Sequence, residues 1–138
     1  MTSVVVITGS GSGIGRSIAV SLADRGWSVV ATDLDEAAAA ETAKLLSTAG
    51  GQQHMSRQLD VTDAAAVTAV ADEIADTLGL DAWVSTAGVS FMQPFVDISL
   101  EKLDLTLAVN LKGVFLCGQA AARAMIRTGR EGRIVNTA

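Results

Sequence analysis

Two rhythms of apolar residues alternate along the chain. Residues 3–8 (SVVVIT) form a continuous β-branched run, the pattern of a strand buried on both faces. Residues 14–25 carry Ile14, Ile18 and Leu22 at helical spacing, and Gly26 stops them. A second strand is predicted over 27–32 with its end at Asp33, then an Ala-rich helix over 35–49 closed by Gly50 and Gly51. A weaker third strand covers 52–59. Asp63 caps a helix to Leu78 with Ala66, Val67, Val70 and Ile74 on one stripe. Residues 82–85 are a short fourth strand. A loop with Gly88 and Pro94 leads to Ser99, the expected N-cap of a long helix over 100–126, and 133–137 (RIVNT) reads as a fifth strand.

Strands joined by helices of this length imply parallel βαβ units with right-handed crossovers. The expected fold is α/β: a Rossmann-type, doubly wound parallel sheet of about five strands between two helix layers. No repeat, linker or second domain interrupts it, so residues 1–138 are expected to form one domain.

Size and composition agree. A chain of 138 residues buries about two-thirds of its unfolded surface. It is 49% hydrophobic and 18% charged, which suits a packed interior and excludes disorder. No unbroken apolar run approaches the roughly 18 residues of a membrane span. The N-terminus lacks a basic segment, so no signal peptide is expected and the location is expected to be cytoplasmic. Net charge is −5 and the ten Lys and Arg residues are scattered, which argues against a nucleic-acid partner. One cysteine, Cys117, excludes an internal disulfide. With His54 the only histidine, no metal site built on His and Cys is expected.

The first strand runs into TGSGSGIG, Thr8 to Gly15, and then into a helix. Free N–H groups at a helix N-terminus attract phosphate, and glycines permit the tight turn and close backbone approach. The spacing differs from G-x-G-x-x-G and lacks the Lys of a P-loop, which sets NTPases aside. Asp33 lies about 20 residues on, where a carboxylate accepts both ribose hydroxyls of an adenosine. A 2′-phosphate at about 4 Å would cost on the order of 4 kcal/mol at an effective dielectric near 20. NAD is therefore expected over NADP. Ser12 brings no cation to offset the charge; Arg16 is the nearest basic residue and works against the preference. The alternative for Asp33 is a helix-capping or turn residue beside Asp35.

Several ordered motifs resemble the short-chain dehydrogenase/reductase family. TGSGSGIG is similar to its T-G-x-x-x-G-x-G loop. Residues 59–63 (LDVTD) resemble the end of its third strand, and residues 85–88 (STAG) its N-N-A-G segment. Val109, Asn110, Gly113 and Phe115 match its V-N-x-x-G-x-F, and 132–136 (GRIVN) its strand before the catalytic serine. The resemblance covers the whole chain. It implies a hydride transfer between a nicotinamide and a secondary alcohol or ketone. It implies cofactor contacts from Gly9, Ser12, Gly13, Ile14, Gly15, Asp33, Leu34, Asp60, Val61, Thr86, Ala87 and Gly88, with Asp60 meeting the adenine amino group. Asn110 takes the family's water-holding role in the proton relay, or is only a buried polar residue of the helix.

Two departures stand out. Ser85 and Thr86 replace both asparagines of N-N-A-G, which puts the sheet's cross-bracing in question. The chain also contains no tyrosine, so the family's proton-passing Tyr, with its Lys and Ser, is expected on a segment or second polypeptide beyond these residues. No stand-in offers itself. His54 falls at the wrong edge of the sheet and is expected at the surface, Cys117 is expected to be packing, and Thr137 lacks an activating base. The long helix has more apolar positions than one face needs, which suggests a homo-oligomer or a covering partner. Phe91, Met92 and Phe95 (FMQPF, 91–95) suggest either an apolar substrate face or core packing. The readings left open are a dehydrogenase part, an inactive NAD(H)-binding module, or an assembly partner.

Overall fold

The computed structural model describes residues 2–137. The strands are β1 (Val4–Thr8), β2 (Ser28–Asp33), β3 (Met55–Gln58), β4 (Ala82–Ser85) and β5 (Arg133–Asn136). The helices are α1 (Gly13–Asp24), α2 (Glu36–Leu45), α3 (Ala64–Thr77), α4 (Leu100–Leu107) and α5 (Val114–Thr128). One five-stranded sheet runs in the order β3-β2-β1-β4-β5, every pairing parallel. The order reverses direction at β1, so the sheet is doubly wound with a crevice at the carboxyl ends of β1 and β4.

The period-two alternation of strand side chains divides the core. Val5, Ile7, Val29 and Val84 face α1 with Ala19 and Ala23. Val4, Val6, Val30 and Trp83 face α3 and α5 with Val67, Ile74, Ala121 and Ala124. All five residues of β1 are buried, as its unbroken apolar run predicts.

The strand and helix order is as expected, with several local differences. The second helix ends at Leu45, four residues early, because Leu46 turns extended and buries its side chain instead. The third strand begins at Met55, not at residue 52. Gln52 and His54 serve as struts. Gln52 Nε2 donates to the Ala23 carbonyl at 2.8 Å. His54 is not a free surface side chain: its Nδ1 accepts from the Val29 N–H at 3.1 Å, so its Nε2 carries the proton that meets the Ser47 carbonyl at 2.8 Å. The long helix is not uniform. It is continuous over Leu100–Thr128, but Ala108–Gly113 winds as a π-helix.

That 29-residue helix is long and apolar enough on average to span a membrane, although no unbroken apolar run is. Its second half is instead a core helix, with Cys117, Ala120, Ala121, Ala124 and Met125 buried. Leu100, Leu107, Leu111 and Phe115 stay exposed, as the surplus of apolar positions in this helix predicts, and all four residues of the edge strand β5 are exposed as well.

Asp81 joins the sheet's amino end together. Its Oδ2 accepts from the Val4 N–H at 2.8 Å, its Oδ1 from Arg130 Nη1 at 2.6 Å, and its carbonyl from the Arg133 N–H at 3.0 Å. Replacing Asp81 with Ala leaves a strand N–H and a partly buried guanidinium unpaired, so the expected loss is about 2–4 kcal/mol in urea unfolding. A loss below ~0.5 kcal/mol would show the junction to be solvated rather than structural.

Candidate functional site

The twelve residues singled out as cofactor-binding all line one cleft of ≈ 460 Å³ at the carboxyl ends of β1, β2 and β4. Four places in the chain build it. The turn after β1 and the start of α1 supply Gly9, Ser12, Gly13, Ile14 and Gly15. The end of β2 supplies Asp33 and Leu34. The segment after β3 supplies Asp60 and Val61, and the one after β4 supplies Thr86, Ala87 and Gly88. Leu59, Val89 and Val109 complete the lining. These three carry no binding signal of their own in the sequence: Leu59 and Val109 have the apolar character of ordinary core positions, and Val89 lies one residue past the matched motif.

The floor of the cleft depends on missing side chains. A Cβ on Gly9 would lie 2.6 Å from Ala87 Cα, and one on Gly15 would collide with the Gly9 carbonyl and sit 2.6 Å from Thr86 Oγ1. Gly9 and Gly13 also hold φ of 63° and 53°, a region that favours glycine. Thr86 Oγ1 hydrogen-bonds the Thr8 carbonyl, while Thr8 Oγ1 accepts from the N–H groups of Thr86 and Ala87 at 3.1 and 3.2 Å. The cross-bracing that the lost asparagines put in question is thus made by a pair of threonines. The Ser85 hydroxyl is buried and finds no partner among the described residues.

The mouth of the cleft is electropositive at one point. α2, α3 and α4 are capped by Asp35, Asp63 and Ser99, each accepting from first-turn N–H groups. α1, whose first turn lines the cleft, has no side-chain cap at Ser12. Its leading N–H groups are left for an anion, with the helix dipole behind them and an open side at Gly13, where an added Cβ meets nothing within 4 Å. A dinucleotide's pyrophosphate fits this end.

Asp33 is both a turn residue and a cleft residue. Its Oδ1 accepts from the Asp35 N–H at 3.0 Å and its Oδ2 from the Gly11 N–H at 2.9 Å, and the helix cap is Asp35, not Asp33. Each oxygen keeps a lone pair for a donor in the cleft. Asp60 Oδ1 accepts from the Thr62 N–H and hydroxyl at 2.9 and 2.7 Å, which sets a turn and leaves Oδ2 without an intramolecular donor among the described residues.

Asn110 lies within the π-helical turn and is exposed rather than a buried polar residue, because its side chain reaches out to the loop and not into the core. Its Nδ2 donates to the Val89 carbonyl and its Oδ1 accepts from the Val89 N–H, both at 2.8 Å. The side chain clasps the loop that follows Gly88, with one N–H and one lone pair to spare. Gly113 lets this wide turn approach the segment after β3, since a Cβ there would be 2.8 Å from Val61 Cγ2. Beyond the clasp, Met92, Phe95 and Val96 are almost fully exposed, so they are not core within this chain. Lys102 ties this loop to α4 through Gln93 and sits 5.3 Å from the Phe91 ring centre.

Of the other reactive candidates, none reaches the cleft. His54 is opposite Val29, near the amino ends of the strands. Cys117 is buried, and burial pushes its thiol up to about 12. The Trp83 indole N–H acts in the opposite direction and is the smaller effect. Thr137 is spent on the Ser85 carbonyl, which accepts its hydroxyl at 3.0 Å. Among the described residues no group of His, Cys, Asp and Glu is placed to hold a metal.

The short chain dehydrogenase family model matches residues 3–138. The chain belongs to that family. It is 38% identical to the human (3R)-3-hydroxyacyl-CoA dehydrogenase, aligning 98% of this chain with 55% of that protein. It is 42% identical to the D-threitol dehydrogenase of Mycolicibacterium smegmatis, over 98% of this chain and 52% of that one. A short-chain type dehydrogenase/reductase from Mycobacterium marinum superposes with a TM-score of 0.91 at 33% identity, covering 99% of this chain and 55% of its own. The chain thus spans about half the length of the curated relatives it matches.

Two outcomes follow from the geometry. Gly15→Ala should push α1 away from Gly9 and Thr86, so nucleotide affinity should fall by about tenfold or more while the sheet still folds. Unchanged binding in a fluorescence titration would mean that the loop does not form the floor. Cys117 should react with a thiol reagent at neutral pH about a hundredfold more slowly in the folded chain than in urea, because its thiolate is scarce and covered; equal rates would show the thiol to be open.

Proposed function

We propose that this chain is the cofactor-binding part of an NAD-dependent oxidoreductase that moves hydride between the nicotinamide and a secondary alcohol or ketone. The observation that carries the reading is the uncapped start of α1, facing a glycine-floored cleft that has Asp33 across from it. The nicotinamide, when bound, supplies the hydride donor or acceptor. The chain's own residues bind and orient. The first-turn N–H groups of α1 hold the pyrophosphate. Asp33 accepts the adenosine ribose hydroxyls and repels a 2′-phosphate, while Asp60 accepts from the adenine amino group. Thr86, Ala87 and Gly88 form the wall toward the reacting end, and Asn110 holds that wall through Val89. The relatives named for dehydrogenating a hydroxyacyl-CoA and D-threitol support an alcohol-bearing substrate.

A second reading, an NAD(H)-binding chain without turnover, is favoured by the absence of tyrosine from the 138 residues. In the first reading the catalytic Ser, Tyr and Lys come from a further segment or a second polypeptide. That same covering element would occupy the apolar face of Leu107, Leu111 and Phe115, unless a second copy of the chain does.

Titration with both reduced nucleotides decides the cofactor. NADH should bind at least about tenfold more tightly than NADPH, and Asp33→Asn should narrow the gap by about the same factor while weakening NADH, because the amide offers one acceptor oxygen where Asp33 uses two. Tighter NADPH binding by the unaltered chain would sink the NAD assignment. Alcohol turnover by the 138-residue chain with NAD would remove the second reading.

A further inference from the structure

Arg16 has a position that its place in the sequence does not suggest. It stands one turn into α1, close enough to the glycine loop to meet an extra phosphate, yet its guanidinium is turned away from the cleft. Nε donates to Thr42 Oγ1 at 2.9 Å, one Nη2 hydrogen goes to the Gly11 carbonyl, and Nη2 lies 3.8 Å from Glu41 Oε2. Arg16 is absent from the cleft lining and borders the outer surface of α1. Asp33 binds the same residue from the other side, through the Gly11 N–H. Gly11 is wedged between them and α2: a Cβ there would be 2.8 Å from both Asp33 Oδ2 and Ala38 Cβ. An arginine and an aspartate thus contact one residue without pairing with each other.

Thr42 is the reason the guanidinium stays there. It is fully buried on α2, and its hydroxyl proton is committed to the Ser10 carbonyl at 2.8 Å, shared with the Ala38 carbonyl at 3.2 Å. Its free lone pair therefore points at Arg16 Nε. We infer that Thr42, assisted by Glu41, is a positioning residue for cofactor choice: by holding Arg16 behind the glycine loop it leaves the Asp33 carboxylate uncompensated toward the ribose, and so disfavours a 2′-phosphate. This rests on the nucleotide-binding reading above. A released guanidinium has a flexible stem long enough to swing round Gly11 and front the same carboxylate, where it neutralises the repulsion and offers paired donors to a phosphate.

The test is binding, with no need for turnover. NADH and NADPH are titrated by nucleotide fluorescence against the unaltered chain and against Thr42→Val, Glu41→Gln, Arg16→Met and Thr42→Val combined with Arg16→Met. Thr42→Val should shift the NADPH-to-NADH affinity ratio toward NADPH by about tenfold, the scale of one hydrogen bond to a charged group. Glu41→Gln should shift it by about twofold, as suits an exposed pair. Adding Arg16→Met should abolish the shift. A loosened loop alone would weaken both nucleotides together, and that parallel loss overturns the inference, as does a shift that survives Arg16→Met. Should Thr42→Val fail to give a cooperative melt, Glu41→Gln, at the exposed end of the clamp, carries the same comparison, and an unmoved ratio there counts against the inference. An unaltered chain that binds neither nucleotide removes the nucleotide-binding reading itself. One that binds NADH while no variant moves the ratio removes only the role of Thr42 and Glu41.

Discussion

Gly9, Gly15 and the Thr86–Ala87 backbone meet at a separation that no interposed side chain tolerates, and the cleft exists because of that contact. It brings the turn after β1, the first turn of α1 and the segment after β4 to one point. The crossed bonds between Thr8 and Thr86 then hold β1 and β4 together where the sheet reverses its winding. The packing has a direct chemical consequence. Because the turn is so tight, α1 starts at Ser12–Gly13 with its first N–H groups bare and pointing out of the sheet. The starts of α2, α3 and α4 are closed by their own side chains.

Charge near the cleft follows from hydrogen bonds that also shape the loop. Asp33 holds the Gly11 N–H, Arg16 the Gly11 carbonyl, and Thr42 holds Arg16 and the Ser10 carbonyl at once. A loop that looks like flexible glycine and serine is therefore gripped from β2, α1 and α2. Its conformation needs little reorganisation to receive a ligand, which lowers the entropy cost of binding. The same bonds leave the Asp33 carboxylate on the cleft and hold the Arg16 guanidinium off it.

The long helix shows how one element serves two roles. Its second half buries small residues against α3 and β4, where Ala120, Ala121 and Ala124 allow close approach. The π-helical turn before it offsets the helix just enough for Gly113 to fit over Val61 and for Asn110 to clasp Val89. Residues 100–111 then run out over solvent with their leucines exposed.

Much of this was legible in the letters. The β-branched run of 3–8, the glycine-rich turn, Asp33 at the end of the second strand and the caps at Asp63 and Ser99 are local signals, set by strand propensity, helix periodicity and the chemistry of helix ends. Their order along the chain implies parallel crossovers, and so the sheet and the position of the cleft. What had no local signature depended on partners distant in sequence. The early end of α2 comes from burying Leu46. The strut role of His54 needs Val29 and Ser47. The wide turn around Asn110 and Gly113 needs Val89, 21 positions from Asn110, and Val61, 52 positions from Gly113. Arg16 is the clearest case: its charge and its closeness to the glycine loop are plain in the sequence, whereas its direction is set by a threonine 26 residues away. Residue type and spacing determine which groups a segment carries and how its backbone winds; where a long side chain spends its hydrogen bonds is decided only when the helices close over the sheet and leave it one set of acceptors.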